Sequence, residues 1–192
     1  MKALKLAVLA VIVSSSLAWS QQTPKAKLLS TPEDPTKKTI LVGRSEAAGM
    51  VIQFELEPAT TMIMLVGTPP RPMEHAPAAG EVYHVEVKPI DPRSKTRIPY
   101  AHVAFEATNN DTGKSLKGEL HPMWGSSGLH YAMNSALLGD GGYTATITIH
   151  APTFGRSSKD KDLFMAPAMA KFHFKLTNRV LIEVSEPSPL PN

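Results

Sequence analysis

Apolar and polar residues alternate with a period of two through most of the chain between residues 50 and 184. Four segments alternate strictly, at residues 83–87, 101–106, 143–150 and 171–176, and three fit less strictly, at residues 50–56, 114–120 and 180–184. Because successive side chains of a strand point to opposite faces of a sheet, this pattern predicts strands with one buried face. No segment shows the period of an amphipathic helix.

Clusters of Gly, Asn and Asp separate the predicted strands. Residues 109–113 read Asn-Asn-Asp-Thr-Gly and residues 139–142 read Gly-Asp-Gly-Gly, and both are typical of hairpin connections. About seven short strands without helical crossovers predict an all-β fold, an antiparallel β-sandwich of immunoglobulin-like type. The Cys and Trp hallmarks of antibody domains are missing, so only the architecture is predicted.

The two ends of the chain differ from the middle in composition. Lys2 and Lys5 precede an apolar core at residues 6–13, and small residues precede position 21, which predicts a cleaved signal peptide at residues 1–20 and an exported protein. Residues 21–48 are rich in Lys, Pro, Thr and Ser and predict a flexible leader. The sandwich should then occupy residues 49–185, followed by a Pro-rich tail at residues 186–192.

Composition narrows the possible partners. The chain has no cysteine, so no disulfide holds the fold, and its net charge of +3 falls to +1 without Lys2 and Lys5, since residues 1–20 contain no acid. Near-neutrality argues against nucleic acid as a partner. No second apolar stretch has membrane-spanning length, so no direct membrane insertion is expected.

The candidate chemistry is concentrated in residues 121–131, where a thioether and two imidazoles flank a glycine-bearing turn. Met123 and His130 belong to this segment, while His84 and Glu86 share one face of a predicted strand. Thioether, imidazole and carboxylate together favour a transition metal such as copper or iron over calcium or magnesium. The alternatives are a solvated polar face for His84 and Glu86, core packing for Met123 and a structural, half-buried His130.

Over roughly residues 50–178 the chain resembles the periplasmic iron-transport protein family. The motifs that carry the resemblance are Ile98-Pro99-Tyr100, His121-Pro122-Met123, Ser126-Ser127-Gly128-Leu129-His130-Tyr131 with Asn134, Gly141-Gly142-Tyr143, Phe154-Gly155-Arg156 and the upstream His84-Val85-Glu86. The resemblance implies an immunoglobulin-like homodimer that binds copper and iron and is encoded beside an iron permease, a possible inner-membrane partner. The metal positions that it implies are His84, Glu86, Met123 and His130.

The chain departs from the family pattern in two places. Ser157 stands where the family has a ligand histidine, and Ser127 and Leu129 replace an acidic residue and a proline. With one imidazole fewer, the site should be weaker or should recruit a substitute such as His121 or His150.

Three classes of function are compatible with the sequence. The leading interpretation is a periplasmic iron- or copper-binding protein that assists iron uptake without catalysis. The alternative is a metal-free β-sandwich module that contacts another envelope or exported protein. A hydrolase built on Ser126, His130 and Asp140 is disfavoured because the chain has no nucleophile elbow, so we predict that the protein is not an enzyme.

Overall fold

The computed structural model describes residues 27–30, 38–184 and 188–189. Within these residues the chain forms thirteen strands and one 3-10 turn at Ser158–Asp160. The strands are β1 (Lys27–Ser30), β2 (Lys38–Ala47), β3 (Met50–Pro58), β4 (Met62–Val66), β5 (Arg71–His75), β6 (Tyr83–Ile90), β7 (Val103–Asn109), β8 (Ser115–Gly125), β9 (Gly128–Ser135), β10 (Gly141–Ile149), β11 (Ala168–Thr177), β12 (Val180–Val184) and β13 (Ser188–Pro189). Every strand pairing is antiparallel, so the predicted all-β antiparallel fold is confirmed.

The strands form two layers that share the long strand β8. The first layer runs β1-β2-β3-β6-β9-β8, and the second runs β8-β7-β10-β11-β12 with β13 beside β11. Residues 115–120 of β8 pair with β7, whereas residues 121–125 pair with β9. The strand therefore passes from one layer to the other. A separate two-stranded ribbon, β4–β5, lies outside both layers.

An aromatic cluster joins the two layers in the core. Phe54 of β3 contacts Phe105, Phe172 and Phe174 of the second layer, with ring centroids 5.4–5.9 Å apart. Strands β7 and β10 alternate buried and half-buried positions, as their sequences predict. In contrast, β3 and β6 are buried on both faces along nearly their whole length. Their polar side chains are consequently inside the protein.

One predicted hairpin is wrong. Residues 109–113 do connect the paired strands β7 and β8, but residues 139–142 lead from β9 in the first layer to β10 in the second. Asp140 in this crossover accepts hydrogen bonds from the backbone N–H groups of Asn178 and Arg179, at 2.8 and 3.0 Å. The glycine-rich segment therefore connects two layers. Its composition is the same as that of a hairpin turn, so the sequence does not distinguish the two connections.

The ordered domain begins earlier than the composition suggests. Strand β2 pairs with β3 and buries Val42, although it lies in the segment predicted as a flexible leader, and β13 lies in the predicted tail and pairs with β11. The predicted signal peptide at residues 1–20 lies outside the described residues. Among the described residues no helix has the length and apolar character needed to cross a membrane.

Candidate metal centre

The face of the first layer opposite the aromatic core carries a lattice of polar side chains across β3, β6, β9 and the end of β8. Cross-strand register defines the rows Glu57–His84–Asn134 and Glu55–Glu86–Ala132–His121, with the pair His130–Met123 beside them. His84 is 1% exposed, Glu86 2% and His130 5%. The solvated polar face that the sequence left open for His84 and Glu86 is therefore wrong.

The tautomer of His84 is fixed by Asn134. The Asn134 side-chain amide donates to the Thr60 carbonyl at 2.8 Å, and its Oδ1 accepts from the Thr60 N–H at 3.3 Å. The same Oδ1 lies 3.0 Å from His84 Nδ1, so Nδ1 must carry the proton and donate it. Nε2 then keeps its lone pair for a metal. Burial lowers the pKa of His84, opposed by the hydrogen bond to Asn134 and by the Glu86 carboxylate, which favours this neutral form.

His130 is oriented in the same way by a backbone carbonyl. Its Nδ1 lies 3.0 Å from the Gly128 carbonyl oxygen, which can only accept, so Nδ1 donates and Nε2 is the ring nitrogen left to face a metal. The two imidazole rings meet edge to face with centroids 6.1 Å apart. Glu86 Oε1 lies 3.6 Å from His130 Nδ1. Two buried imidazoles thus stand side by side, each with one nitrogen anchored and one available.

Met123 lies directly opposite His130 across the β8–β9 hairpin. It is half-buried and lies outside the hydrophobic core cluster, so the core-packing alternative for Met123 is not supported. Gly125 leaves room for the imidazole, because a Cβ there would lie only 3.0 Å from His130 Cε1. The hairpin therefore sets a thioether beside an imidazole at the end of the lattice.

Three charged residues of this face, Glu55, Glu57 and Lys88, were not predicted from the sequence. Carboxylate oxygens of Glu55, Glu57 and Glu86 lie within 4.8 Å of one another, and Lys88 forms ion pairs with Glu55 and with Glu86, the latter at 2.7 Å. Ser127 Oγ also donates to Glu86, at 3.2 Å. The available signal was the period-two series of polar residues in β3, which matches the series His84, Glu86, Lys88 in β6.

The other sequence candidates have different surroundings. His121 is exposed but shares the face of Met123 and His130, whereas the His150 ring packs against His102, with centroids 4.9 Å apart. Ser157 lies in an exposed turn and donates to Asp160 at 2.7 Å. Asp140 binds backbone amides of another loop and His130 binds Gly128, so the hydrolase arrangement with Ser126 has no support.

The residues present suit a transition metal. Two imidazoles and a thioether are ligands for copper or for another late first-row ion, and the adjacent carboxylates add ligands that iron accepts. The fold and this donor set define a candidate class, the antiparallel β-sandwich proteins whose His and Met side chains could hold a metal. The profile of the family described as Fe2+ transport protein matches residues 51–176. The chain belongs to that family, so the resemblance inferred from the sequence motifs is confirmed.

Individual relatives agree with this assignment. A UPF0423 protein of Brucella abortus is 29% identical over 175 residues, which cover 84% of each chain. The copper-reconstituted P19 protein from Campylobacter jejuni is 26% identical with a TM-score of 0.60, over 72% of this chain and 96% of that one. FetP from a uropathogenic E. coli strain, expressed in the periplasm of E. coli, has a TM-score of 0.61 at 23% identity, over 73% of this chain and 97% of FetP, and shares the fold.

Proposed function

We propose that this protein binds copper, iron or both in the periplasm and assists iron uptake. His84, Met123 and His130 would hold the metal, with Glu86 beside them. The observation that carries the proposal is the anchoring of both imidazoles through Nδ1, to Asn134 and to Gly128, because metal-binding histidines are usually held in this manner. The bound metal would be the cargo, and no catalytic step is proposed.

The family assignment and the known structures support the metal. The family is one of Fe2+ transport proteins, and a structure of the P19 protein contains copper. The location rests on the signal peptide predicted at residues 1–20, which agrees with export. An inner-membrane iron permease is the partner that we propose for delivery.

Copper titration of variants tests the metal centre. We expect His130→Ala and Met123→Ala each to weaken copper binding at least about tenfold, or roughly 1.4 kcal/mol, because each removes one ligand. His173→Ala is the control, since His173 is exposed on β11 and contacts Thr144, and it should change affinity less than about twofold. Calorimetry of the metal-free proteins makes the comparison. Equal affinities across the set would contradict the proposed centre.

A metal-free binding module remains the second candidate. It is favoured by the ion pair between Lys88 and Glu86 and by the serine at position 157, because both reduce the ligands that are free for a metal. Metal analysis of protein purified from the periplasm separates the two functions. Near-stoichiometric copper or iron supports transport, whereas an empty protein that also fails to bind copper in the titration supports the binding module.

A further inference from the structure

Lys88 is a buried cation among buried carboxylates. Its side chain is 5% exposed and forms ion pairs with Glu55 and Glu86, whose side chains are each 2% exposed. Lysine is almost never buried unless it is paired. The position of Lys88 on β6, two residues after Glu86, places its ammonium on the same face as the metal centre.

The carboxylates around Lys88 have the spacing of a cation site. Oxygens of Glu55, Glu57 and Glu86 lie within 4.8 Å of one another, and carboxylate oxygens are the ligands of hard ions such as Mn²⁺ and Mg²⁺. Glu55 also accepts a hydrogen bond from the Gln53 amide, and Glu57 accepts one from Thr39 at 2.5 Å. The carboxylates are thus held in place, and the positive partner of Glu55 and Glu86 is the ammonium of Lys88.

We propose that Lys88 is the resident cation of the Glu55–Glu57–Glu86 cluster and a specificity-determining residue of the protein. A hard divalent ion could enter only by displacing the ammonium, which would then lie buried without its counter-charges. Lys88 therefore keeps hard ions out of the acidic end of the lattice. This inference rests on the proposed function, and it adds that the protein takes one metal, at the imidazole and thioether end of the polar face.

The test replaces the ammonium with a neutral side chain of similar reach. Lys88→Gln should bind Mn²⁺ at least about tenfold more tightly than the wild-type protein, measured by the loss of the free Mn²⁺ signal in electron paramagnetic resonance. Mn²⁺ should also raise the melting temperature of Lys88→Gln and leave that of the wild type unchanged. Adding Glu55→Gln to Lys88→Gln should abolish both effects.

The control is Lys117→Gln. Lys117 pairs with Glu106 at 3.1 Å, but its side chain is 73% exposed, so its loss should create no Mn²⁺ site. If Lys88→Gln does not fold alone, refolding in Mn²⁺ decides: recovery of the native circular dichroism spectrum supports the proposal and failure to recover it counts against it. Equal Mn²⁺ affinity of wild type and folded Lys88→Gln would overturn it, as would a wild-type Mn²⁺ site that Glu55→Gln removes.

This experiment is independent of the copper titration. Mn²⁺ binding by Lys88→Gln needs neither Met123 nor His130, so it should persist when His130→Ala is added. A wild-type protein that does not bind copper would contradict the proposed function, but it would leave the Mn²⁺ binding of Lys88→Gln unaffected. A Lys88→Gln protein that does not bind Mn²⁺ would contradict the proposal that Lys88 excludes hard ions, and it would leave copper binding at the other end of the lattice unaffected.

Discussion

At the scale of residues, the proposed metal centre depends on which ring nitrogen of each histidine is held by a hydrogen bond and which one is left for the metal. Asn134 fixes His84 because its own orientation is set by two hydrogen bonds to Thr60. Asn134 is one of the residues that carry the family resemblance, but the sequence motif does not show that it accepts a hydrogen bond from His84. That role requires a loop residue 74 positions away in the sequence, and no local pattern reports such a contact.

His84 should also make stability depend on pH. Burial lowers the pKa of His84 below its ordinary value of 6.5, so between these two pKa values the unfolded chain binds a proton that the native protein does not. The free energy of unfolding should therefore fall as pH decreases below about 6.5, whereas above it both states are neutral and the contribution vanishes. Thermal melts of the metal-free protein from about pH 8 to about pH 5 test this. The decline should be shallower in His84→Gln, and identical slopes would count against the assignment.

The sequence predicted only some of the polar residues on this face of the first layer. His84 and Glu86 were identified because metal-binding residue types stood two positions apart on one strand. Glu55 and Lys88 were missed because alternate polar residues in a strand usually face water, and the burial of both faces of β3 and β6 depends on the rest of the fold. A period of two shows which residues share a face but not what covers that face.

At the scale of elements, the β8–β9 hairpin determines how close the thioether and the imidazole can be. The hairpin closes at the pair Gly125–Gly128, and Gly128 adopts a φ of 83°, where glycine is favoured. Gly128 also provides the carbonyl that anchors His130. The sequence predicted this turn and the return of the chain at His130, since glycines on both sides of two serines are a local signal.

Gly125→Ala tests whether this hairpin sets the geometry of the site. The added methyl group would lie 3.0 Å from His130 Cε1, so the ring must move by a few tenths of an ångström. We expect copper affinity to fall about threefold to tenfold while stability changes by less than about 1 kcal/mol. Gly155→Ala is the control, because a Cβ there meets no heavy atom within 4 Å. If calorimetry finds both variants equal to wild type, the position of the His130 ring does not limit binding.

The alternation of apolar and polar residues predicted some strands and not others, because it appears only where one face of a strand is exposed to solvent. Strands β7, β10 and β11 each have one face toward solvent, so their apolar and polar residues alternate clearly, and all three were predicted. Strands β2 and β9 were not, since β2 follows a Lys- and Pro-rich segment and the sequence of β9 mixes apolar and polar residues on a face that lies inside the protein. The crossover at residues 139–142 was misassigned because a glycine cluster indicates a turn but not which strands it joins.

At the scale of the whole molecule, the ribbon β4–β5 exposes apolar side chains to solvent. Ile63 is 60% exposed, Leu65 72% and Met73 44%, on an element that belongs to neither layer. Exposed apolar surface of this kind marks a contact with another protein. A second copy of this chain is the partner that we propose, in agreement with the homodimer that the family resemblance implies.

Light scattering at micromolar concentration tests the homodimer. Wild-type protein should have the mass of a dimer, and Leu65→Ser should shift it toward the monomer without lowering monomer stability, because Leu65 is largely exposed. Val180→Ser, which alters a valine 57% exposed on β12, should leave the mass unchanged. A monomer mass for the wild-type protein would contradict the proposed dimer. It would also contradict any proposal that the metal centre is completed across subunits.

A substitution at Ser157 tests the proposed dimer and the proposed metal centre together. In one chain its hydroxyl donates to Asp160 in an exposed turn, where the family pattern has a ligand histidine. If the dimer brings this turn to the metal centre of the second copy, Ser157→His should tighten copper binding, because it adds an imidazole to the two imidazoles and the thioether already there. Combining Ser157→His with Leu65→Ser should cancel the gain as the dimer dissociates. A gain that persists in the monomer would place the added ligand within one chain instead.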